Sequence, residues 1–180
     1  MIWFTSDCHF GHKSIIKHCN RPYENVKKMD DDIIRIWNKH ISKDDTVYYL
    51  GDFAVGVTKK RIKSIFKKLH GKIIFIKGNH DEKIKDIGFY KVKDYLKKVI
   101  KDPTSPSEKI IIVMSHYPML KWNNKGKGAW MLHGHAHGMI NSYNEGVRRL
   151  DVGWDNFQRP ISLEEIREIF LKKMKKADDA

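Results

Sequence analysis

Short apolar runs that end in a polar cluster recur along the chain. The runs are rich in Ile, Val, Phe and Tyr and cover 2–4, 46–50, 73–76, 110–114 and 129–132. This composition is typical of buried strands. Apolar residues at helical spacing occur at 30–41, 58–69 and 162–170, and a mixed stretch predicts two short strands, at 89–92 and 95–100. The order of strands and helices predicts an α/β fold, in which loops after parallel strands gather at one edge of a sheet.

Two helix starts are also predicted from local sequence. The run Asp30–Asp32 suits a helix N-terminus, where carboxylates meet unpaired amides and the positive end of the dipole. Ser162 with Glu165 forms a capping box for the last helix.

The polar clusters contain residue types that bind metal ions. Each of the following residues comes after a strand-like run: Asp7, His9, Asp52, Asn79, His80, His116, His135 and His137. His80 is not counted as a ligand; of the other seven residues, three offer an oxygen atom and four offer an imidazole nitrogen. Seven ligands exceed the needs of one tetrahedral zinc ion but suit two divalent ions that share a carboxylate. Ion pairs of this kind, about 3.5–4 Å apart, support in-line displacement at phosphorus.

The segment Gly78-Asn79-His80-Asp81 adds acid chemistry to this set. Asn79 offers a neutral oxygen ligand, His80 a proton donor and Asp81 a carboxylate that orients the ring of His80. The alternative is an ordinary polar turn, because Gly, Asn and Asp are all turn formers. The position of the segment at a strand end, like that of the other clusters, favours the catalytic interpretation.

Together these residues resemble a known family. Asp7-x-His9, Gly51-Asp52, Gly78-Asn79-His80-Asp81, His116 and Gly134-His135-Ala136-His137 resemble the five ordered motifs of the calcineurin-like metallophosphoesterase superfamily. The chain length and Phe10-Gly11-His12 resemble its small prokaryotic and phage members. The resemblance implies one domain over residues 1–180, built as a four-layer α/β/β/α sandwich with two central mixed β-sheets.

The resemblance also implies roles for the residues. One metal would be held by Asp7, His9 and His137, and the other by Asn79, His116 and His135. Asp52 would bridge the two ions, and a hydroxide bridging them would attack phosphorus. His80 would protonate the leaving oxygen or stabilise its charge, with Asp81 holding its ring.

One motif departs from the family pattern. Many members extend the second motif to Gly-Asp-x-x-Asp, whereas this chain reads Gly51-Asp52-Phe53-Ala54-Val55-Gly56. The missing second acid puts a close match to the protein-phosphatase branch in doubt, but it removes no metal ligand.

Outside the motifs, several residues have two interpretations. His12 is predicted either to contact substrate phosphate or to be a histidine that lies at the surface or supports a ligand. Arg21 clamps a phosphate or forms a surface ion pair. Three aromatic residues line a nucleobase pocket or pack in the core: Tyr117, Trp122 and Trp130. Three histidines are predicted to be structural or exposed: His18, His40 and His70. Asp151 and Trp154 receive no role.

Composition limits the partners and the location. A formal charge of +13 suits nucleic acid or an anionic substrate, although the lysines are spread as on a solvated surface. Two cysteines make no disulfide framework. No secretory signal is recognisable, and no run reaches the roughly 20 apolar residues of a membrane span. We therefore expect a cytoplasmic protein without a membrane partner.

These observations predict a binuclear metal-dependent phosphoesterase, with a phosphodiesterase on nucleotide or nucleic-acid substrates favoured. The alternatives are a phosphomonoesterase and a non-catalytic metal-binding scaffold or nucleic-acid-binding protein on the same fold. The His133-x-His135-x-His137 pattern alone would suggest a metallo-β-lactamase-like hydrolase, but the Asp and second His of that family's motif are missing. Manganese is the favoured metal, and Fe, Ni, Co and Zn also suit these ligands.

Overall fold

The computed structural model describes residues 1–87, 92–102, 105, 107–144 and 146–178. In chain order the strands and α-helices are β1 (Ile2–Thr5), α1 (Ile15–His18), α2 (Val26–His40), β2 (Thr46–Tyr49), α3 (Lys59–Phe66), β3 (Lys72–Phe75), β4 (Tyr95–Lys101), β5 (Lys109–Ser115), β6 (Trp130–His133), β7 (Arg149–Asp151), α4 (Trp154–Phe157), β8 (Ile161–Ser162) and α5 (Leu163–Asp178). Short 3-10 helices cover Glu82–Ile87, Lys125–Lys127 and Asn141–Asn144. Strand β4 confirms the second of the two strands predicted near residue 95. The first, at 89–92, falls almost entirely outside the described residues.

The strands form two four-stranded mixed sheets. The first has the order β3-β2-β1-β8, with β8 antiparallel to β1 and the other pairs parallel. The second has the order β4-β5-β6-β7, with β4 antiparallel to β5 and the remaining pairs parallel. The predicted α/β class with two mixed sheets is confirmed.

The first sheet buries both of its faces. Side chains alternate between the faces of a strand, so Val47 and Tyr49 pack on the helix side, against α2 and α3. Tyr48 and Leu50 instead face the second sheet, in a core that also holds residues of β5, β6 and α5. The apolar runs lack strict alternation because a strand between two packed layers is buried on both sides.

Helix α2 begins earlier than the sequence predicted. Helix α2 begins at Val26, where Asn25 Oδ1 accepts from the amide of Lys28 at 3.0 Å. The predicted start at Asp30 is therefore wrong. Asp30 lies in the second turn and is buried, and its carboxylate accepts from the amide of Gly11 and from Arg61.

The capping box at α5 is confirmed. The Glu165 amide donates to Ser162 Oγ at 3.2 Å, and the Ser162 amide donates to the Glu165 carboxylate at 2.9 Å.

Hydrogen bonds beyond the strand ends hold neighbouring loops together within each sheet, and one bridge links the two sheets. The amide of Asp7, beyond β1, donates to Gly51 O at 2.9 Å, beyond β2. The amide of Gly134, beyond β6, donates to His116 O at 3.0 Å, beyond β5. Ser6 and Gly153 form a bridge that links the end of β1 to the segment after β7. The carboxyl ends of strands from both sheets therefore open onto one place. No helix in the described part of the chain has the length and apolar content needed to cross a bilayer.

Candidate metal centre

The structure brings the seven residues proposed as metal ligands together at this edge. Ligand atoms of Asp7, His9 and His137 all lie within 4.8 Å of one another, and those of Asp52, His116 and His135 form a second such cluster. The side-chain oxygen of Asn79 is 3.0 Å from His116 Nε2, which places Asn79 beside the second cluster. This grouping matches the two sets that the family resemblance implies.

Asp52 belongs to the second cluster and also faces the first. Its Oδ2 is 3.6 Å from His9 Nε2, and its Oδ1 is 3.6 Å from His116 Nε2. The side chain is almost fully buried, so its orientation is fixed by its surroundings. One carboxylate thus presents one oxygen to His9 and the other to His116, an arrangement that suits a ligand shared by two ions.

The surroundings of His9 show whether the first cluster fits a cation. Its Nε2 atom is buried and has no hydrogen-bond partner among the described residues. The atoms that face it are carboxylate oxygens of Asp52, at 3.6 Å, and Asp7, at 3.9 Å. Buried polar atoms normally have partners, and a nitrogen lone pair facing two carboxylates fits a bound cation. The residues present therefore fit the expected metal.

The backbone at the ligands is unusual. Five of the seven have positive φ angles: Asp7 (56°), His9 (53°), Asp52 (56°), His135 (66°) and His137 (46°). Such angles are uncommon for residues other than glycine and persist where surrounding structure enforces them. Here the His9 amide donates to Asp52 O at 3.1 Å, and the His135 amide donates to the Asp7 carboxylate. The ligand loops thus hold one another.

Two glycines permit the close approach of these loops. A Cβ atom on Gly78 would collide with the carboxylate of Asp52, and one on Gly134 would collide with that of Asp7. Glycine is therefore required directly before Asn79 and His135 because a carboxylate of another loop occupies the space of the side chain.

Burial controls the protonation of the first cluster without metal. Burial raises the pKa of Asp7 to about 8, so its carboxyl keeps a proton at neutral pH. Burial, together with the neighbouring positive charge of His137, lowers the pKa of His9 to about 2. Neutral His9 is therefore in the state that a metal ligand needs, while Asp7 must lose a proton to bind a cation.

Arg21 does not face the cavity, and both of its predicted roles are wrong. Its guanidinium donates to Asp155 at 2.7 and 2.8 Å, to Cys8 O at 2.8 Å and to Asp7 O at 2.7 Å. Its Nη1 also lies 3.6 Å from the sulfur of Met29. The side chain is only 3% exposed. All its donors are used within the protein, so it holds the Asp7 loop and is not free to clamp a substrate phosphate.

Asp155 is a functional residue that the sequence interpretation missed. Its carboxylate binds Arg21 and also lies 2.7 Å from His137 Nδ1, which leaves Nε2 of His137 for a metal. Although burial lowers the pKa of His137, hydrogen bonds with Asp155 and Cys19 raise it to about 10. Burial opposes ionisation of Asp155, yet hydrogen bonds with His137 and Arg21 lower its pKa to about 2. Its place after β7, at the edge that holds the ligands, was the available signal.

Asp151, which had no predicted role, supports the same loops. Its carboxylate accepts from the amides of Gly138 at 3.0 Å and Gly153 at 2.8 Å. It is fully buried. Asp151 therefore fixes the loop that carries His135 and His137.

Asp81 was predicted to orient the ring of His80, and this prediction is wrong. Its carboxylate accepts from the amides of Asp52 (2.6 Å), Phe53 (2.9 Å) and Gly78 (2.8 Å) and is buried. All its described hydrogen bonds are to backbone amides. Asp81 thus holds two ligand loops together and does not orient the ring of His80.

His80 lies at the open side of the centre. Its side chain is 42% exposed, and its Nε2 is 3.9 Å from Asp52 Oδ2. Its amide donates to Asp52 Oδ1 at 3.0 Å. The ring is therefore near both the shared carboxylate and solvent, which suits a proton donor.

A cavity of about 580 Å³ opens above the two clusters. Besides most of the ligands and His80, its lining includes His12, His18, Cys19 and Met139. His12 Nδ1 lies 3.1 Å from His9 Nδ1 and its Nε2 lies 2.9 Å from Ser14 Oγ. His12 thus contacts a proposed ligand and also faces the cavity.

The three aromatic residues considered for a nucleobase pocket differ in their exposure. Trp122 and Trp130 are buried and belong to core clusters, as their structural interpretation predicts. Tyr117 is 48% exposed. Its ring contacts the rings of His116 and His135, with centroids 5.1 and 4.7 Å away.

Comparison with known proteins decides the family. The family model for calcineurin-like phosphoesterases matches residues 1–104. The chain belongs to this family. Members are metal-dependent phosphoesterases, so the chain has the fold and the candidate ligands of a divalent-metal hydrolase.

Individual relatives agree with this assignment. An uncharacterized protein from Methanocaldococcus jannaschii is 35% identical over 76% of this chain and 69% of its own length. The Gene 66 protein of Mycobacterium phage L5 is 30% identical over 93% of this chain and 92% of its own. The crystal structure of a protein of unknown function from Aquifex aeolicus superposes with a TM-score of 0.68 at 25% identity, covering 94% of this chain and 98% of that one. Relatives of this kind fit the small prokaryotic or phage type of calcineurin-like phosphoesterase.

Proposed function

We propose that this chain is a binuclear phosphodiesterase, built as a single domain over residues 1–180, that acts on nucleotide or nucleic-acid substrates. The observation that carries the proposal is the position of Asp52, whose two oxygens face two separate ligand clusters, each at 3.6 Å from a histidine nitrogen. A single-ion site would not need a second cluster on the far side of the same carboxylate.

Two divalent cations, with manganese favoured, complete the proposed site. When bound, they neutralise phosphate charge and lower the pKa of water far enough for attack near neutral pH. Asp7, His9 and His137 would hold one ion, and Asn79, His116 and His135 the other. The mixed oxygen and nitrogen donors suit Mn²⁺ and also admit Fe, Ni, Co and Zn.

His80 acts on the leaving group in this proposal. Its ring is partly exposed and close to Asp52, so it reaches the phosphoryl group and exchanges protons with solvent. Because its backbone amide is fixed on Asp52 Oδ1, the ring stays near the centre without a hydrogen bond from Asp81. His80 would donate a proton to the departing oxygen.

The preference for nucleotide or nucleic-acid substrates rests on the cavity and the charge. A cavity of about 580 Å³ is in the range of ligand sites for molecules of nucleotide size. The formal charge of +13 attracts polyanions. Phosphorylated small molecules are the other substrates to test, and the cytoplasmic location stays a prediction.

Chelator-stripped protein with bis-p-nitrophenyl phosphate, with and without Mn²⁺, tests the proposal. We expect turnover that returns with Mn²⁺ and exceeds turnover of p-nitrophenyl phosphate. Higher turnover of the monoester would favour a phosphomonoesterase. No turnover with Mn²⁺, Fe²⁺, Ni²⁺, Co²⁺ or Zn²⁺ would leave the non-catalytic scaffold.

Metal content tests the shared carboxylate separately. Asp52→Asn removes the charge that both clusters share, so we expect fewer than two Mn²⁺ per chain by elemental analysis. Asp44→Asn is the matched control, because the side chain of Asp44 is 98% exposed and is not a proposed ligand. Two ions per chain in Asp52→Asn would contradict a bridging role.

A further inference from the structure

Large apolar side chains are exposed beside a centre that is otherwise polar. Among the described residues, eight large hydrophobic side chains are exposed, and four of them lie in the segments after β5 and β6: Tyr117, Leu120, Met139 and Tyr143. β5 and β6 are parallel neighbours, so these segments leave the same edge of the second sheet. Exposed apolar side chains that are scattered singly are normal, whereas several in one region indicate a binding site.

Two of the four are placed to meet a substrate. Met139 is 78% exposed and lines the cavity above the ligand clusters. Tyr117 is in contact with two residues of that lining: its ring centroid is 4.7 Å from that of His135, and its hydroxyl is 3.5 Å from Asn79 Oδ1. A group bound at the centre would therefore have Tyr117 and Met139 within its surroundings.

The ring of Tyr117 is held in place although the residue is 48% exposed. It packs edge-to-face against His116 and His135, at interplanar angles of 71° and 67°. Pro118 follows and restricts the backbone of Tyr117 to extended conformations. A ring that is fixed before binding loses little freedom when a planar group stacks on it.

We propose that Tyr117 and Met139 form a subsite for a planar aromatic group, such as a nucleobase, of the phosphoester substrate. This inference rests on the proposed function and assigns the residues that bind the base of its substrate. The exposed area of the Tyr117 ring stacks on the aromatic group, and the Met139 thioether, which is flexible and polarizable, packs against it.

Binding of two phosphate ligands to Mn²⁺-loaded protein tests the subsite. Adenosine 5′-monophosphate and methyl phosphate both carry a phosphate monoester, but only the first carries a planar base. The ratio of their dissociation constants, measured by titration calorimetry, isolates the organic group from the phosphate. We expect the adenosine ligand to bind about 5- to 150-fold more tightly, in line with base–aromatic stacking.

Variants then assign the effect to the ring. Tyr117→Ala should remove most of the difference between the two ligands, and Met139→Ala should reduce it. Tyr117→Phe, which keeps the ring, should retain it within about twofold. Tyr143→Ala is the matched control, because Tyr143 is a tyrosine that is 75% exposed and, unlike Tyr117, has no described ring contact with a proposed metal ligand.

Equal affinity of the wild-type protein for both ligands would overturn the proposal, as would an unchanged ratio in Tyr117→Ala or an equal loss in Tyr143→Ala. A loss in Tyr117→Phe as large as in Tyr117→Ala would assign the effect to the hydroxyl and also contradict stacking. Turnover of bis-p-nitrophenyl phosphate tests the catalytic proposal independently, because hydrolysis of a diester and the affinity ratio of two monoesters are separate measurements. Failure of the subsite and failure of the catalytic proposal are thus distinguishable.

Discussion

Replacing Arg21 with Met should destabilise the protein far more than replacing an exposed arginine. Arg21 and Asp155 form a buried ion pair whose side chains are 3% and 8% exposed. Arg21→Met leaves the Asp155 carboxylate without its guanidinium partner and leaves the carbonyl oxygens of Asp7 and Cys8 without their donor. Removing one partner of a buried pair costs about 3–5 kcal/mol of unfolding free energy.

The lower end of that range is expected for Arg21→Met. Asp155 keeps one partner in the metal-free protein, because His137 is protonated there and lies 2.7 Å away. A domain of this length loses about 2–4 °C of melting temperature per kcal/mol. We therefore expect Tm to fall by about 6–12 °C at 3 kcal/mol, measured by calorimetry on chelator-treated protein.

Arg35→Met is the matched control. Arg35 forms an ion pair with Asp32 at the surface, with 66% and 30% of the side chains exposed. Such pairs contribute about 0–1 kcal/mol. A Tm for Arg21→Met equal to that of Arg35→Met would refute the structural role of Arg21. Elemental analysis of Arg21→Met should also show less Mn²⁺, because the Asp7 loop and the orientation of His137 both depend on the pair.

Three further predictions concern the centre itself. Because Asp7 and His137 hold protons that a metal must displace, with pKa values raised to about 8 and 10, Mn²⁺ affinity should rise with pH, by about ten- to a hundredfold per unit between pH 6 and 8. Competition with a fluorescent chelator measures this, and a flat profile would contradict it. His80→Ala should lower turnover of diesters with poor leaving groups by about 10²- to 10⁴-fold, while elemental analysis still finds two metals; loss of metal would mean that His80 is a ligand. Asp81→Asn should lower the unfolding free energy by about 1–3 kcal/mol in urea titrations, since an amide cannot accept from three backbone N–H groups as a carboxylate does. Lower turnover with unchanged stability would restore a direct role for Asp81 at the His80 ring.

Local sequence was sufficient for most of the secondary structure. Strands at 2–5, 46–49, 72–75, 109–115 and 130–133 coincide with the predicted apolar runs, whose side chains are mostly buried. The α5 capping box involves residues three apart, so it is legible in the sequence. The start of α2 was misjudged because the carboxylate of Asp30 suits a helix terminus in isolation but binds Gly11 and Arg61 in the fold.

The sequence by itself determined which residues gather at the sheet edge, because each follows a strand and strand ends meet there. Only the tertiary structure decided what Arg21, Asp81 and Asp155 do. Arg21 meets Asp155 across 134 residues, and Asp81 meets the amide of Asp52 across 29. A charged side chain has the same local sequence whether it faces a substrate or a buried partner. The distinction depends on which loops the fold brings against it, and no spacing along the chain records that.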